Sequence, residues 1–357
     1  MSPLPQQTIE TDPSELWIAR CPVPTATGVV LDQKWLEREF GPEGFTFAPL
    51  RESTDPRVKG DLVHHRLRGL FREGGNVPAF WGQANGLRDT ALIGLTWVDE
   101  KQVLLARPDS PIQDISDLKG KRFGLSNSAK PSTDIWRAMA LHGYVHVLGL
   151  AGLTTDDVTL VDLEADDDRP ADRQQGGTWS AATERALLNG EVDVIYAKGA
   201  PAEFLRAKHN LKVVFDINDH PDPKIRINNG TPRPVTVHRD LLKARPDVVA
   251  RYLAILLRAA DWAELNPEDV VRIVANETRT NAESVRISYG PELHRRLRVT
   301  LKPDWLEAFR IQKDFLRDRK LIPGDVDIEA WLDPEPLAVA TRLLKSGGLR
   351  ADPLVAA

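Results

Sequence analysis

Among 357 residues there is one cysteine, Cys21. It cannot close an internal disulfide, and it excludes a metal site built from a cysteine cluster. An excess of charge of either sign is also lacking, since 47 Lys and Arg stand against 52 Asp and Glu, a net charge of −5. No broad basic field is therefore offered to nucleic acid or to an anionic membrane, although a single basic pocket remains compatible with that balance. Long apolar runs are missing too: no stretch approaches the ~18 consecutive apolar residues of a membrane span. The opening residues, Met1-Ser2-Pro3-Leu4-Pro5-Gln6-Gln7, carry neither the basic region nor the apolar stretch of a secretory signal. These absences lead us to expect a soluble, cytoplasmic, monomeric protein with no nucleic-acid or membrane partner.

What is present is the composition of an ordinary folded protein, 41% hydrophobic and 28% charged. The length suits two α/β lobes. Leu16-Trp17-Ile18-Ala19 reads as a strand that stops at Cys21-Pro22-Val23-Pro24, because proline fixes φ and removes a ladder donor. Val30, Leu31, Trp35, Leu36 and Phe40 fall near helical spacing, and Gly41-Pro42-Glu43-Gly44 ends that helix. Strands are expected at Phe45–Phe47, Ala91–Leu95 and Val103–Ala106, then after Gly120, and at Val158–Leu163, Val192–Tyr196 and Val213–Ile217. Such alternation predicts a mainly parallel sheet with helices on its faces. Proline-rich breaks place one lobe at 1–108 and 225–357 and the other at 109–224. From Pro246 the chain reads as helical, with Val249, Leu253, Leu256, Leu257 and Ala260 as an apolar stripe.

Three places carry chemistry. Cys21 lies just past a strand end in a loop stiffened by two prolines, where ligands of open α/β sheets gather; the competing reading is a buried structural thiol. Arg72-Glu73-Gly74-Gly75-Asn76-Val77-Pro78 has the make-up of an anion cradle. Its glycines allow close backbone approach, Asn76 suits an N-cap and Pro78 a first helical turn, and free N–H groups at a helix start attract an anion. The plain alternative is a loop-to-helix turn with a solvated arginine. His64 and His65 precede Arg66 and Arg68; one imidazole beside a thiol would be a useful proton carrier, and the alternatives are a surface pair or a histidine packed on the sheet. Ser126, Asn127 and Ser128, and likewise Tyr196, Lys198 and Gly199, end strands of the second lobe, but they are also ordinary strand-end residues.

Two segments resemble the type II periplasmic-binding-protein scaffold of the nitrate/sulfonate/taurine group: Asp109-Ser110-Pro111-Ile112 with Asp117-Leu118-Lys119-Gly120-Lys121, and Leu187-Leu188-Asn189-Gly190-Glu191-Val192-Asp193-Val194. On it, Cys21-Pro22-Val23-Pro24, Val63-His64 and Arg72-Glu73-Gly74-Gly75 together resemble the 2'-hydroxybiphenyl-2-sulfinate desulfinase family. The resemblance implies a two-lobed α/β fold with a ligand cleft between the lobes. It implies a hydrolase that cleaves the carbon–sulfur bond of an organic, aromatic sulfinate and releases sulfite. Cys21, His64 and Arg72 would be catalytic, and Gly74, Gly75, His65 and Trp136 would bind substrate, with no metal and no cofactor. The stretch from His64 to Arg72 is shorter than in that family, and His65-Arg66-Leu67-Arg68 is more charged and less aromatic. That departs from a biphenyl substrate more than from the reaction, and leaves both His64 and His65 as candidates for the catalytic imidazole. Cys21 acts either as a thiolate nucleophile or as a proton donor. The rival reading is a solute-binding protein for a sulfonate or similar anion, since the same scaffold serves both.

Overall fold

In the computed structural model the described residues are 9, 12–59, 61, 65–87, 89–127, 134–164 and 177–350. The chain divides into two compact units. The first comprises Met1–Val98, Gly230–Thr278 and Glu292–Ala357, and the second Asp99–Asn229 and Arg279–Pro291. The first division comes earlier than the proline break at 108/109. The reason is pairing: a strand at Gln102–Ala106 lies antiparallel to Ile195–Lys198 and to Lys212–Asp216, all within the second unit. The helical tail also returns one segment to that unit, where the Lys101 N–H donates to the Ser288 carbonyl at 2.7 Å.

The first unit is built on a five-stranded sheet. Its members are β1 (Glu15–Arg20), β2 (Thr46–Pro49), β3 (Leu70–Glu73), β4 (Thr90–Thr96) and, after the second unit's strands, β10 (Arg233–His238). The order is β2-β1-β3-β10-β4. β1 runs parallel to β2 and β3, whereas β10 is antiparallel to both β3 and β4. The sheet is thus mixed, not mainly parallel, because the chain re-enters the first unit between two strands already laid down. The core behind it is aromatic: Phe71 stacks on Tyr252 at 4.1 Å, and Phe47 packs on Phe40 at 5.0 Å. The apolar stripe Val249, Leu253, Leu256, Leu257 and Ala260 is buried on the long helix Pro246–Leu265, as its 3.6-residue spacing requires. The expected single helix over Val30–Phe40 is broken in two, Ala26–Asp32 and Trp35–Phe40, by Lys34 at φ 55°.

The second unit holds β5 (Gln102–Ala106), β6 (Arg122–Asn127), β7 (Thr159–Glu164), β8 (Ile195–Lys198) and β9 (Lys212–Asp216), in sheets ordered β8-β5-β9 and β6-β7. The helix Ile135–Leu150 packs on β6, where Tyr144 crosses Phe123 edge-on at 4.9 Å and its hydroxyl donates to the Gly124 carbonyl at 2.6 Å. No helix among the described residues is long and apolar enough to cross a membrane.

Candidate active site

Register brings three strand ends to one place. Ala19 pairs with Arg72 and Arg20 with Glu73, so Cys21, one step past the end of β1, lies beside Gly74. On the other side of β3, Val235 pairs with Glu73; continuing that antiparallel register sets Arg233 opposite Gly75. The carboxyl ends of β1 and β3 thus meet the start of β10, at the strand edge where α/β sheets carry their ligands.

Each element is fixed locally. Arg20 is clamped by Glu277 and also donates to the Val23 carbonyl at 3.3 Å, which orients the turn after Cys21. Gly28 leaves the room this pair needs, since a Cβ there would meet an Arg20 terminal nitrogen at 2.8 Å. Pro22 and Pro24 stiffen the turn, closed by the Val23 N–H to the Cys21 carbonyl at 2.9 Å. Glu73, fully buried beside Arg72, accepts from Thr27 at 2.5 Å and from Thr96 at 2.9 Å, so the end of β3 is tied to two neighbouring elements.

Arg72 is itself 1% exposed and donates to the Gly75 carbonyl at 3.2 Å. Its guanidinium lies over Gly74: a Cβ at that position would come within 2.6–3.0 Å of its three terminal atoms. Gly74 is therefore a matter of space, the close approach that only glycine permits. Gly75 is the N-cap of the helix Asn76–Ala84, one position before the cap expected at Asn76. Asn76 instead turns its amide to the Pro232 carbonyl at 2.9 Å and accepts from Gln312 at 3.1 Å, holding the approach to Arg233.

Electrostatics single out the sulfur. Burial pushes the Cys21 thiol up, but the charges of Arg233 and Arg72, a hydrogen bond from Arg233 and one from the Gly75 N–H outweigh it, and the net direction is down. For Arg72, burial lowers the value, the Cys21 charge raises it and Arg233 lowers it again, to about 10. Two like charges lie buried against one sulfur that answers both. Such an arrangement favours the thiolate and suits a small anion with paired oxygens.

The sequence candidates separate as follows. Cys21, Arg72, Gly74 and Gly75 come together. His65, at φ 52° and fully buried, lies in the same unit; its Nε2 meets the Leu70 carbonyl at 3.0 Å, and its ring lies 6.4 Å from that of His238. His64 and Ser128 fall outside the described residues. Trp136 is in the second unit, on the first turn of the helix capped by Asp134, with Lys198 5.8 Å over its ring. Lys198 itself pairs with Glu100 at 2.5 Å, and the Tyr196 hydroxyl donates to Gln102 at 2.8 Å, so both have structural partners. Arg66 pairs with Asp61 and Arg68 with Asp240, so neither stands as a spare charge for substrate. Arg233, whose charge also acts on Cys21, was not among the sequence candidates. Its signal was present: an arginine bracketed by Pro232 and Pro234 at the start of the alternating run Val235-Thr236-Val237.

Comparison with known proteins agrees with this architecture. Residues 95–270 match the family model described as NMT1/THI5 like. A 2'-hydroxybiphenyl-2-sulfinate desulfinase of Rhodococcus erythropolis is 28% identical over 295 residues, 74% of this chain and 78% of that protein. A crystal structure of a mutant of the desulfurization enzyme DSZB with biphenyl-2-sulfinic acid aligns at TM-score 0.69 and 22% identity, covering 92% of this chain and 99% of that one. The periplasmic aliphatic sulphonate binding protein SsuA from Escherichia coli aligns at TM-score 0.65 and 17% identity, over 90% and 93%. The fold is thus the mixed α/β, periplasmic-binding-protein-like one that the sequence segments imply.

Proposed function

We propose that this chain, a homologue of the 2'-hydroxybiphenyl-2-sulfinate desulfinases on a periplasmic-binding-protein-like scaffold, hydrolyses the carbon–sulfur bond of an organic sulfinate. The balance is one sulfinate and one water giving the hydrocarbon and hydrogen sulfite. The observation that carries the reading is the Cys21 thiol drawn toward thiolate by Arg233, Arg72 and the Gly75 N–H. A transport protein that only captures an anion has no use for a thiol drawn toward thiolate.

In this reading Arg72 and the Gly75 N–H hold the SO2 group. The Cys21 thiolate attacks sulfur, and the carbon leaves as it takes a proton; water then releases sulfite and restores the thiolate. The alternative role, a Cys21 thiol that protonates the ring carbon while water takes the SO2 group, requires a proton that the two arginines disfavour. The proton-carrying role goes to His64 on the resemblance alone; His65 has its Nε2 against the Leu70 carbonyl. A lone thiol drawn toward thiolate is preserved in a reducing compartment, and we place the protein in the cytoplasm on that ground.

A second reading rests on the sulphonate-binding neighbour, whose fold matches over nearly as much of the chain. One experiment separates the two. Purified protein is incubated with a panel of arylsulfinates and sulfite is measured. Desulfination predicts sulfite release without added cofactor, falling by roughly a thousandfold or more in Cys21→Ser. Tight binding of sulfinates or sulfonates with no sulfite from any of them establishes the binding protein instead.

A further inference from the structure

We infer that Arg233 is a second anion-binding residue of the Cys21 site, contacting the bound sulfinate beside Arg72. The inference rests on the sulfinate reading above for its ligand, but not for its geometry. Arg233 is 3% exposed. It follows the Asn76-tethered Pro232 carbonyl, two residues before Val235, which pairs with Glu73 at the end of β3. Gly230 gives its guanidinium room, since a Cβ there would stand 3.3 Å from one terminal nitrogen. The charge of Arg233 acts on Cys21, and its Nε and its Nη1 have no acceptor among the described residues.

A buried arginine with unanswered donors is costly, because the desolvation of each N–H is not returned. Other buried charges of this unit are answered by protein groups: Arg20 by Glu277, Glu39 by Arg251, Asp61 by Arg66 and Glu73 by Thr27 and Thr96. The charged groups facing the sulfur are Arg72 on β3, Arg233 on β10 and, already engaged by Glu277, Arg20 on β1. Two arginines against one sulfur leave the site at least one positive charge in excess, whether that sulfur is thiol or thiolate. A monoanion with two adjacent acceptor oxygens neutralises that excess and supplies acceptors for the donors left over. The same count disfavours a neutral sulfoxide or sulfone, which brings oxygens but no charge.

The test uses Arg233→Gln and Arg233→Lys in the full chain, with benzenesulfinate as the probe and diphenyl sulfone as its neutral counterpart. Two properties are read: equilibrium binding by calorimetry, and the pH profile of Cys21 alkylation by iodoacetamide, followed by intact mass. Arg233→Gln is expected to weaken benzenesulfinate at least tenfold and to move the alkylation midpoint to higher pH, with matching thermal melting. Arg233→Lys keeps the charge but not the planar donor set, so it restores the alkylation profile more than the binding. Should Arg233→Gln misfold, the contrast between wild type and Arg233→Lys decides. Unchanged binding and an unmoved profile in a folded variant overturn the inference, even if sulfite is still released. Conversely, Arg233-dependent binding with no sulfite release leaves Arg233 assigned and removes the desulfinase reading.

Discussion

The interiors of the two units treat polarity in opposite ways. Buried charged side chains in the first include Arg20, Glu39, Asp61, Arg72, Glu73 and Arg233, whereas the second, among the described residues, buries Asp99. Four of its other buried residues, Tyr144, Tyr196, Gln102 and Asn228, form a network of uncharged groups. Tyr144 receives the Tyr196 N–H at 2.9 Å, the Tyr196 hydroxyl donates to Gln102, and Asn228 reaches both Gln102 at 2.8 Å and the Met139 carbonyl at 3.1 Å. A closed neutral network specifies a fold and asks for nothing more. A pair of buried arginines against a single sulfur stays electrostatically open, which is the ground on which we propose a ligand there.

This contrast can be broken or sharpened by experiment. In the second unit burial lowers the pKa of His146 to about 4, against weaker upward pulls from the Ile227 carbonyl and Asp222. The sign follows from linkage: a group with a depressed folded value stabilises fully above its unfolded value near 6.5 and loses that contribution as pH falls toward 4. Acidification over that window should cost the protein up to about 3 kcal/mol, and His146→Phe should flatten the loss in denaturant titrations. In the first unit Glu73→Gln keeps acceptor and shape but removes the carboxylate that faces Arg20 and takes the Thr27 and Thr96 hydroxyls. It should destabilise by about 2 kcal/mol in urea unfolding.

Smaller effects test whether the two interiors are independent. Gly74→Ala presses a methyl onto the far end of the Arg72 side chain, so benzenesulfinate should bind about tenfold more weakly, a loss of about 1.4 kcal/mol, with little change in unfolding. Tyr196→Phe should cost about 1 kcal/mol of stability and leave Cys21 alkylation untouched. An altered alkylation profile in Tyr196→Phe would undo the distinction between a structural and a functional interior.

Much of the fold was legible because periodicity is local. The apolar run of β1, the stripe of Pro246–Leu265 and most strands fell within a few residues of their places. β3 was not read as a strand: Arg72 and Glu73 look like surface residues until a sheet buries them. β10 was lost behind Pro232 and Pro234, and with it both the mixed character of the sheet and Arg233. Cys21, Arg72 and the two glycines were legible because they sit in two short segments of distinctive composition. That Gly74 clears the Arg72 guanidinium, and that a residue more than a hundred positions away completes the pocket, depends on register between strands. Register is a long-range property that no local pattern reports.

The most direct measurement is the pH dependence of Cys21 alkylation in the unmodified protein. With one cysteine in the chain, intact mass reports that sulfur alone. If Arg72, Arg233 and the Gly75 N–H hold it as described, iodoacetamide will react with a midpoint below the value near 8.5 of an ordinary thiol, and bound benzenesulfinate will protect it. A midpoint at or above that value, with no protection, would contradict the account.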